Sequence, residues 1–336
     1  MSGVEAWKAS KNALENVLEA RSDEKILIIC DKEKAEIGEA FAKGALALGL
    51  WTRLTILQKP KKPRKKIPER LKKILIQKPD IYINLLLGNR EETPFRIELI
   101  KKETQNHKAR LGHCPGVTID MLTEGALALT PQEHKNMQYQ VDQLICTLKD
   151  TVTVEICNPL GTNLKLSTQK RRFFTDTKLD KKTMKWMNLP TGEVIVAPVE
   201  DSLNGKLVCD MAIGGIGKLT KTVEVTVKNG KVKSVFSKDK DHLRRVKETF
   251  QTDDWSDVVG EFAFGINPKA RFVQEFLETE KILGTVHVAF GANTDMPGGK
   301  NPSKNHMDLL ISTPTVTVTK ENGEKVIILQ KGCFRV

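Results

Sequence analysis

The second half of the chain places histidine and acidic side chains inside apolar runs, where such groups need a partner. In the run HMDLL, His306 and Asp308 are separated by one residue. If this run is a strand, both side chains point to one face, because successive side chains alternate between faces. An imidazole and a carboxylate held side by side are good ligands for a divalent metal ion. The pair therefore predicts part of a metal site, and a structural His–Asp hydrogen bond is the simpler alternative.

Three more candidate ligands lie upstream of this pair. His287 lies in the apolar run GTVHVAFG, and Glu280 ends a helix pattern seven residues earlier. Glu261 follows Val-Val-Gly and leads into apolar residues, where an unpaired charge is costly. Burial raises the pKa of a carboxyl group unless a cation compensates its charge, and a metal ion would be such a cation. A core histidine and a solvated glutamate are the simpler explanations of His287 and Glu280.

Glu193 has the same kind of setting as Glu261. A Pro-Thr-Gly turn precedes it and the run EVIVAPV follows it, so the pattern places a carboxylate at the first position of a strand. Four carboxylates and two imidazoles form a mixed oxygen and nitrogen set that suits zinc, cobalt or manganese. The six candidates are Glu193, Glu261, Glu280, His287, His306 and Asp308.

The first part of the chain alternates strand and helix patterns, as parallel α/β sheets do. Residues 24–30 and 81–87 have the composition of buried strands, and residues 95–102 have the period of a helix. No GxGxxG follows any of these strands, so the phosphate cradle of a dinucleotide site is missing. The pattern predicts a Rossmann-like sheet without a nucleotide site.

From Thr151 onward the hydrophobic period changes to two, and Asn229-Gly230 is typical of a two-residue hairpin turn. Helix patterns at 241–250 and 269–281 interrupt the strands, and the glycine-rich GGIGKL at 214–219 reads as a turn. Since 336 residues exceed the usual limit of a single core, two domains are expected. The predicted fold is an α/β, Rossmann-like N-terminal domain over residues 1–130. An α+β, β-rich metal-binding domain follows over residues 131–336.

The net charge of +12 raises the question of a nucleic-acid partner. The excess is concentrated near the segment KPKKPRKK at 59–66, which contains no aromatic residue to stack on bases. It is interpreted as a solvated loop, and nucleic acid is not expected as a partner. No run approaches the ~18 apolar residues of a membrane span, and the N-terminus lacks the apolar core of a signal peptide. We expect no membrane contact and a cytoplasmic location.

The segments NLPTGEV, GEFAFGINPKA, LETEKILGTVHVAFG and NHMDLL occur in this order. They resemble the metal-binding segments of the thermophilic metallo-aminopeptidase family, the aminopeptidases T and S, over about residues 150–320. The resemblance implies a homodimer that hydrolyses N-terminal residues of a peptide substrate with two divalent ions. Carried over position by position, it implies that all six candidates ligate metal and that Glu261 bridges the ions. The unsaturated carboxylate that acts as general base would be Glu261 or Glu193.

A second reaction stays open, because relatives of the same fold include a ring-cleaving dihydroxypyridine dioxygenase with one non-haem iron. His287, His306 and Asp308 can form the two-histidine, one-carboxylate set of such an Fe(II) site. The peptidase family carries a tyrosine shortly after the histidine-containing strand, whereas this chain has tyrosines only at positions 82 and 139. Despite this departure, the resemblance favours hydrolysis with two ions. Dioxygenation by one Fe(II) is the alternative.

Overall fold

The computed structural model describes residues 5–105, 108–180 and 186–336. They form two compact units. The first comprises Met1–Asn136 and Asp176–Thr191, and the second comprises Met137–Thr175 and Gly192–Val336. The first unit thus includes a segment from the second half of the sequence.

Helices and strands alternate at the start of the chain and strands dominate after residue 150. In the described ranges, no helix combines the length and apolar character needed to cross a membrane. The helices are α1 (Ala6–Asn16), α2 (Ala35–Ala47), α3 (Glu69–Leu75), α4 (Thr93–Glu103), α5 (Ile119–Thr123), α6 (Pro131–Thr147), α7 (Lys240–Phe250) and α8 (Phe276–Thr279). The strands are β1 (Lys25–Asp31), β2 (Trp51–Leu57), β3 (Ile81–Leu85), β4 (Arg110–His113), β5 (Thr151–Cys157), β6 (Asn163–Ser167), β7 (Phe174–Thr175), β8 (Trp186–Asn188), β9 (Glu193–Val196), β10 (Asn204–Cys209), β11 (Ala212–Ile213), β12 (Gly217–Lys218), β13 (Val223–Lys228), β14 (Lys231–Ser237), β15 (Val259–Gly265), β16 (Val286–Gly291), β17 (His306–Ile311), β18 (Thr315–Lys320), β19 (Lys325–Gln330) and β20 (Cys333–Phe334).

The first unit is built on a parallel sheet with the strand order β2-β1-β3-β4-β8. Its central strands are continuous apolar runs because both of their faces are buried. In β1, Ile26, Ile28 and Cys30 belong to one apolar cluster, whereas Leu27 and Ile29 belong to another. Alternate side chains of β1 therefore pack into two different hydrophobic cores, one on each face of the sheet. The predicted α/β character of this region is confirmed.

The second unit contains two antiparallel sheets, as the period of two in its sequence predicts. Their orders are β14-β13-β10-β6-β5-β18-β19-β20 and β12-β11-β17-β16-β15-β9-β7. The predicted hairpin turn joins β13 to β14, with positive φ angles of 51° at Asn229 and 72° at Gly230. Both central residues of this tight turn need the left-handed region, which Asn and Gly adopt more readily than other residues.

The helix predicted over residues 269–281 is wrong, since only Phe276–Thr279 are helical. Side chains from the end of this segment bind the backbone at its start. Glu278 accepts hydrogen bonds from the backbone N and Nε of Arg271, at 3.1 and 2.9 Å. The Thr279 hydroxyl accepts one from the backbone N of Val273 at 3.1 Å. Such local bonds compete with helical ones, and they hold Arg271 to Glu275 in a loop. The other inserted helix, predicted over 241–250, is confirmed as α7.

The basic segment 59–66 is only partly the solvated loop that its composition predicts. Lys61, Lys62, Lys65 and Lys66 are exposed. Arg64 differs, because its side chain is only 9% exposed and pairs with two buried carboxylates of the first unit. Its Nη2 lies 2.6 Å from Asp31 Oδ1 and 2.7 Å from Glu92 Oε2. The guanidinium group presents its donors in a fixed fork, so Nε and Nη2 bind Glu92 together while Nη2 also binds Asp31.

Candidate metal centre

Five of the six candidate ligands lie on one face of the seven-stranded sheet. Strand β15 pairs with β16 and with β9, and β16 pairs with β17. In this register Glu261 lies opposite Ala289, which lies opposite Asp308, and Glu193 lies opposite Gly265. Ala289 places only a methyl group between the Glu261 and Asp308 side chains, whereas the backbone of Ile282 covers Gly265. The five residues are Glu193, Glu261, His287, His306 and Asp308.

The opposite face of the same strands is apolar. Phe262 and Phe264 of β15, Val288 of β16 and Met307 of β17 are all buried there. Because successive side chains of a strand point to opposite faces, one face can hold the candidate ligands while the other packs against the core. The prediction that His306 and Asp308 share a face is confirmed, because both belong to β17 with Met307 between them.

Three carboxylates surround one nitrogen of His287, whose side chain is only 1% exposed. Its Nε2 lies 3.1 Å from Glu261 Oε1, 3.5 Å from Glu193 Oε1 and 3.8 Å from Asp308 Oδ1. Three acidic groups at a buried point need compensating positive charge. This is the arrangement expected of a site that holds a cation.

His306 occupies the outer edge of the cluster, with its side chain 31% exposed. Its Nε2 lies 3.2 Å from both Glu261 Oε2 and Asp308 Oδ1. On the other side of the ring, Nδ1 lies 2.8 Å from the carbonyl oxygen of Ala292. A carbonyl only accepts, so Nδ1 carries the hydrogen, and this bond orients Nε2 towards the carboxylates as outer hydrogen bonds do for metal-binding histidines. Glu261 therefore presents one oxygen to each imidazole.

Lys281 is a member of the cluster that the sequence analysis missed. Its side chain is only 3% exposed, and its Nζ contacts Glu193 Oε2 and lies 2.9 Å from Glu280 Oε1. Glu280 lies at the C-terminal end of α8, and both residues occupy the segment that leads into β16. In sequence, a lysine beside a glutamate at a helix end is typical of a solvated pair. Only the burial of Glu280 and Lys281 in the folded protein distinguishes this pair from a solvated one.

Acidic neighbours raise the pKa of both imidazoles. Burial lowers the pKa of His287, but the hydrogen bond to Glu261 and the charges of Glu193 and Asp308 outweigh it and raise that pKa to about 9. The pKa of His306 is likewise raised, because Asp308 and Glu261 outweigh burial. Burial raises the pKa of Glu261, but hydrogen bonds from both histidines outweigh it and hold that pKa below its usual range. The carboxylates thus favour a positive charge at both imidazole positions, as they would favour a metal ion.

The donor set itself fits a divalent ion. Glu261, His287 and Asp308 each offer a ligand atom, and these atoms lie within 4.8 Å of one another. Two carboxylates and an imidazole are the mixed set that zinc, cobalt and manganese accept.

The glycine-rich turn of the sequence borders this centre. The segment predicted to be a turn joins β11 to β12, and its Gly214 donates a backbone hydrogen bond to the carbonyl of Asp308 at 2.9 Å. A Cβ atom at Gly214 would lie 3.1 Å from Asp308 Oδ2. A residue without a side chain therefore leaves the space beside this carboxylate open.

The chain is similar in sequence to one protein family and in structure to two proteins of known structure. The sequence profile of the thermophilic metalloprotease (M29) family matches residues 130–334, which is more than half of the chain and a range that contains the six candidate positions. AmpT from Thermus thermophilus is similar in structure, with a TM-score of 0.73 at 16% identity over 98% of this chain and 99% of that chain. The 2,5-dihydroxypyridine dioxygenase from Pseudomonas putida KT2440 has a TM-score of 0.70 at 13% identity over 98% of each chain. At these identities both structures show a shared fold alone. No curated protein matches the sequence.

Proposed function

Since this chain belongs to the thermophilic metalloprotease (M29) family, we propose that it is an aminopeptidase that uses two divalent ions to release N-terminal residues from peptides. The observation that carries the proposal is the position of Glu261. One of its oxygens lies 3.1 Å from His287 Nε2 and the other lies 3.2 Å from His306 Nε2. A carboxylate that meets a different imidazole with each oxygen is suited to bridge two ions.

The ligands divide into two groups that share Glu261. We assign Glu193, Glu261 and His287 to the inner site, and Glu261, His306 and Asp308 to the outer site. Divalent ions held by these residues would supply Lewis-acid chemistry, which polarises a scissile carbonyl and lowers the pKa of a bound water molecule. Zinc, cobalt and manganese all suit these ligands.

The general base must be a carboxylate that the ions do not use. The candidates from the sequence are Glu193 and Glu261, but the oxygens of Glu261 face the two imidazoles. Glu193 faces Lys281 with one oxygen and His287 with the other. Glu280 fits the role better, because burial raises its pKa and so favours uptake of a proton from water. We therefore assign proton transfer to Glu280 and ligation to Glu193 and Glu261.

The direct test is hydrolysis of an unblocked dipeptide and of its N-acetylated counterpart. We expect cleavage of the unblocked peptide only, because an aminopeptidase recognises the free α-amine. Chelation should abolish the rate, and zinc, cobalt or manganese should restore it with about two ions bound per chain. Oxygen consumption with 2,5-dihydroxypyridine, dependent on one Fe(II) per chain, would instead support the dioxygenase.

Binding of the ions should depend on pH. Below its pKa of about 9, His287 carries a proton that an ion must displace, because only neutral imidazole ligates metal. Affinity should therefore rise with pH up to about 9 and should change by roughly tenfold per pH unit for each displaced proton. Calorimetric titration with zinc at pH 7, in buffers of different ionisation enthalpy, measures the protons released. An affinity that is constant from pH 7 to 9 would contradict this assignment.

A further inference from the structure

Lys281 places a fixed positive charge at one end of the metal centre. Its side chain is buried, and a lysine is almost never buried unless it is paired. The partners are Glu193 and Glu280, so two of the six candidate ligands already have a cation. Glu193 also lies 3.5 Å from His287 and thereby connects Lys281 to the inner site.

The outer site has a different electrostatic setting. In the described part of the chain, the ion-pair partners of Glu261 and Asp308 are the two histidines, and neither carboxylate pairs with a lysine or an arginine. An ion bound there would not share Glu261 or Asp308 with an ammonium or guanidinium group of the described residues. An ion at the inner site must share Glu193 with the ammonium group of Lys281, and like charges at such short range repel strongly in a buried setting.

The backbone keeps Lys281 in place. Its carbonyl accepts a hydrogen bond from the backbone N of Asn267 at 2.9 Å, and its own N donates to the carbonyl of Glu278 at 3.1 Å. Asn267 is fully buried next to β15. The main chain of Lys281 is thus held on both sides, and its Nζ lies between the two carboxylates.

We propose that Lys281 makes the two ion sites unequal, so that the outer ion binds tightly and the inner ion binds weakly. This inference rests on the proposed two-ion function. The enzyme then exists in a one-ion form at low metal concentration, and the inner site fills only as the concentration rises. Lys281 is a positioning residue that sets the metal concentration at which the second ion enters.

The test is a zinc titration of metal-free protein, with a chelating indicator for the tight step and equilibrium dialysis for the weak one. We expect two steps in the wild type, separated by about 100-fold or more in affinity. Lys281→Met should strengthen the weak step by about tenfold or more and leave the tight step nearly unchanged, because it removes the competing charge. Lys304→Met, at an exposed lysine of the same unit, is the matched control and should behave as the wild type.

A second variant keeps the test valid if Lys281→Met fails to fold. Lys281→Met leaves Glu193 and Glu280 without their shared cation, so the double variant Lys281→Met, Glu280→Gln removes one of these charges as well. Zinc should raise the thermal unfolding temperature of either variant more than that of the wild type. Two wild-type steps of equal affinity, or a weak step that neither variant strengthens, would overturn the role of Lys281 and leave the peptidase proposal standing. Failure to bind zinc would overturn both.

Discussion

Glu261→Gln should abolish peptide hydrolysis and remove at least one of the two proposed ions. An amide has one neutral acceptor oxygen, whereas the carboxylate offers an anionic oxygen to each side. In the present structure those oxygens lie 3.1 and 3.2 Å from the Nε2 atoms of His287 and His306. The rate should fall by more than about 100-fold, the upper range for groups that merely support metal ligands. Elemental analysis and the dipeptide assay measure the two effects.

Glu280→Gln is the matched control for this experiment. It is the same chemical change at a buried glutamate of the same cluster, but Glu280 contacts Lys281 and is assigned to proton transfer. It should lower the rate while both ions remain. Because glutamine is nearly isosteric with glutamate, circular dichroism should be unchanged in both variants. If Glu261→Gln kept two ions and most of its rate, the bridging assignment would have to be abandoned.

Arg64→Met should destabilise the first unit by about 3–5 kcal/mol, the usual cost of removing one partner of a buried ion pair. The side chains of Asp31 and Glu92 are 2% and 4% exposed, and both would lose their cation. Asp31 also accepts a hydrogen bond from the backbone of Leu87 at 2.7 Å, so it cannot easily turn towards water. The guanidinium group further lies 4.8 Å from the centre of the Phe95 ring. Urea unfolding of the two proteins gives the difference.

The neighbouring lysines supply the control for Arg64. Replacing Lys61, Lys62, Lys65 and Lys66 together by glutamine removes most of the charge of the same segment but touches exposed side chains. Each change should alter the free energy of unfolding by no more than about 0.5 kcal/mol, as is usual for surface substitutions. A four-lysine variant as unstable as Arg64→Met would show that charge density, rather than the buried pair, stabilises this region.

Much of the local structure could be predicted from the sequence, because it depends on neighbouring residues. A period of two identified the strands of the second unit, and Asn229-Gly230 identified the hairpin turn because few residues adopt positive φ. The same alternation placed His306 and Asp308 on one face. The residue types at the candidate positions indicated metal ligation, since carboxylates and histidines beside apolar residues need a compensating charge.

Only the tertiary structure decided which of these residues meet. Glu193, Glu261, His287 and Asp308 lie on four different strands, and their proximity depends on the register of β9, β15, β16 and β17. Register depends on pairing between distant segments, which no local window of sequence contains. For the same reason the sequence analysis missed Lys281 and interpreted Arg64 as part of a solvated loop, because an ion pair is buried only when remote segments cover it. Local periodicity thus determined the elements and their faces, while long-range packing determined which charges share a site.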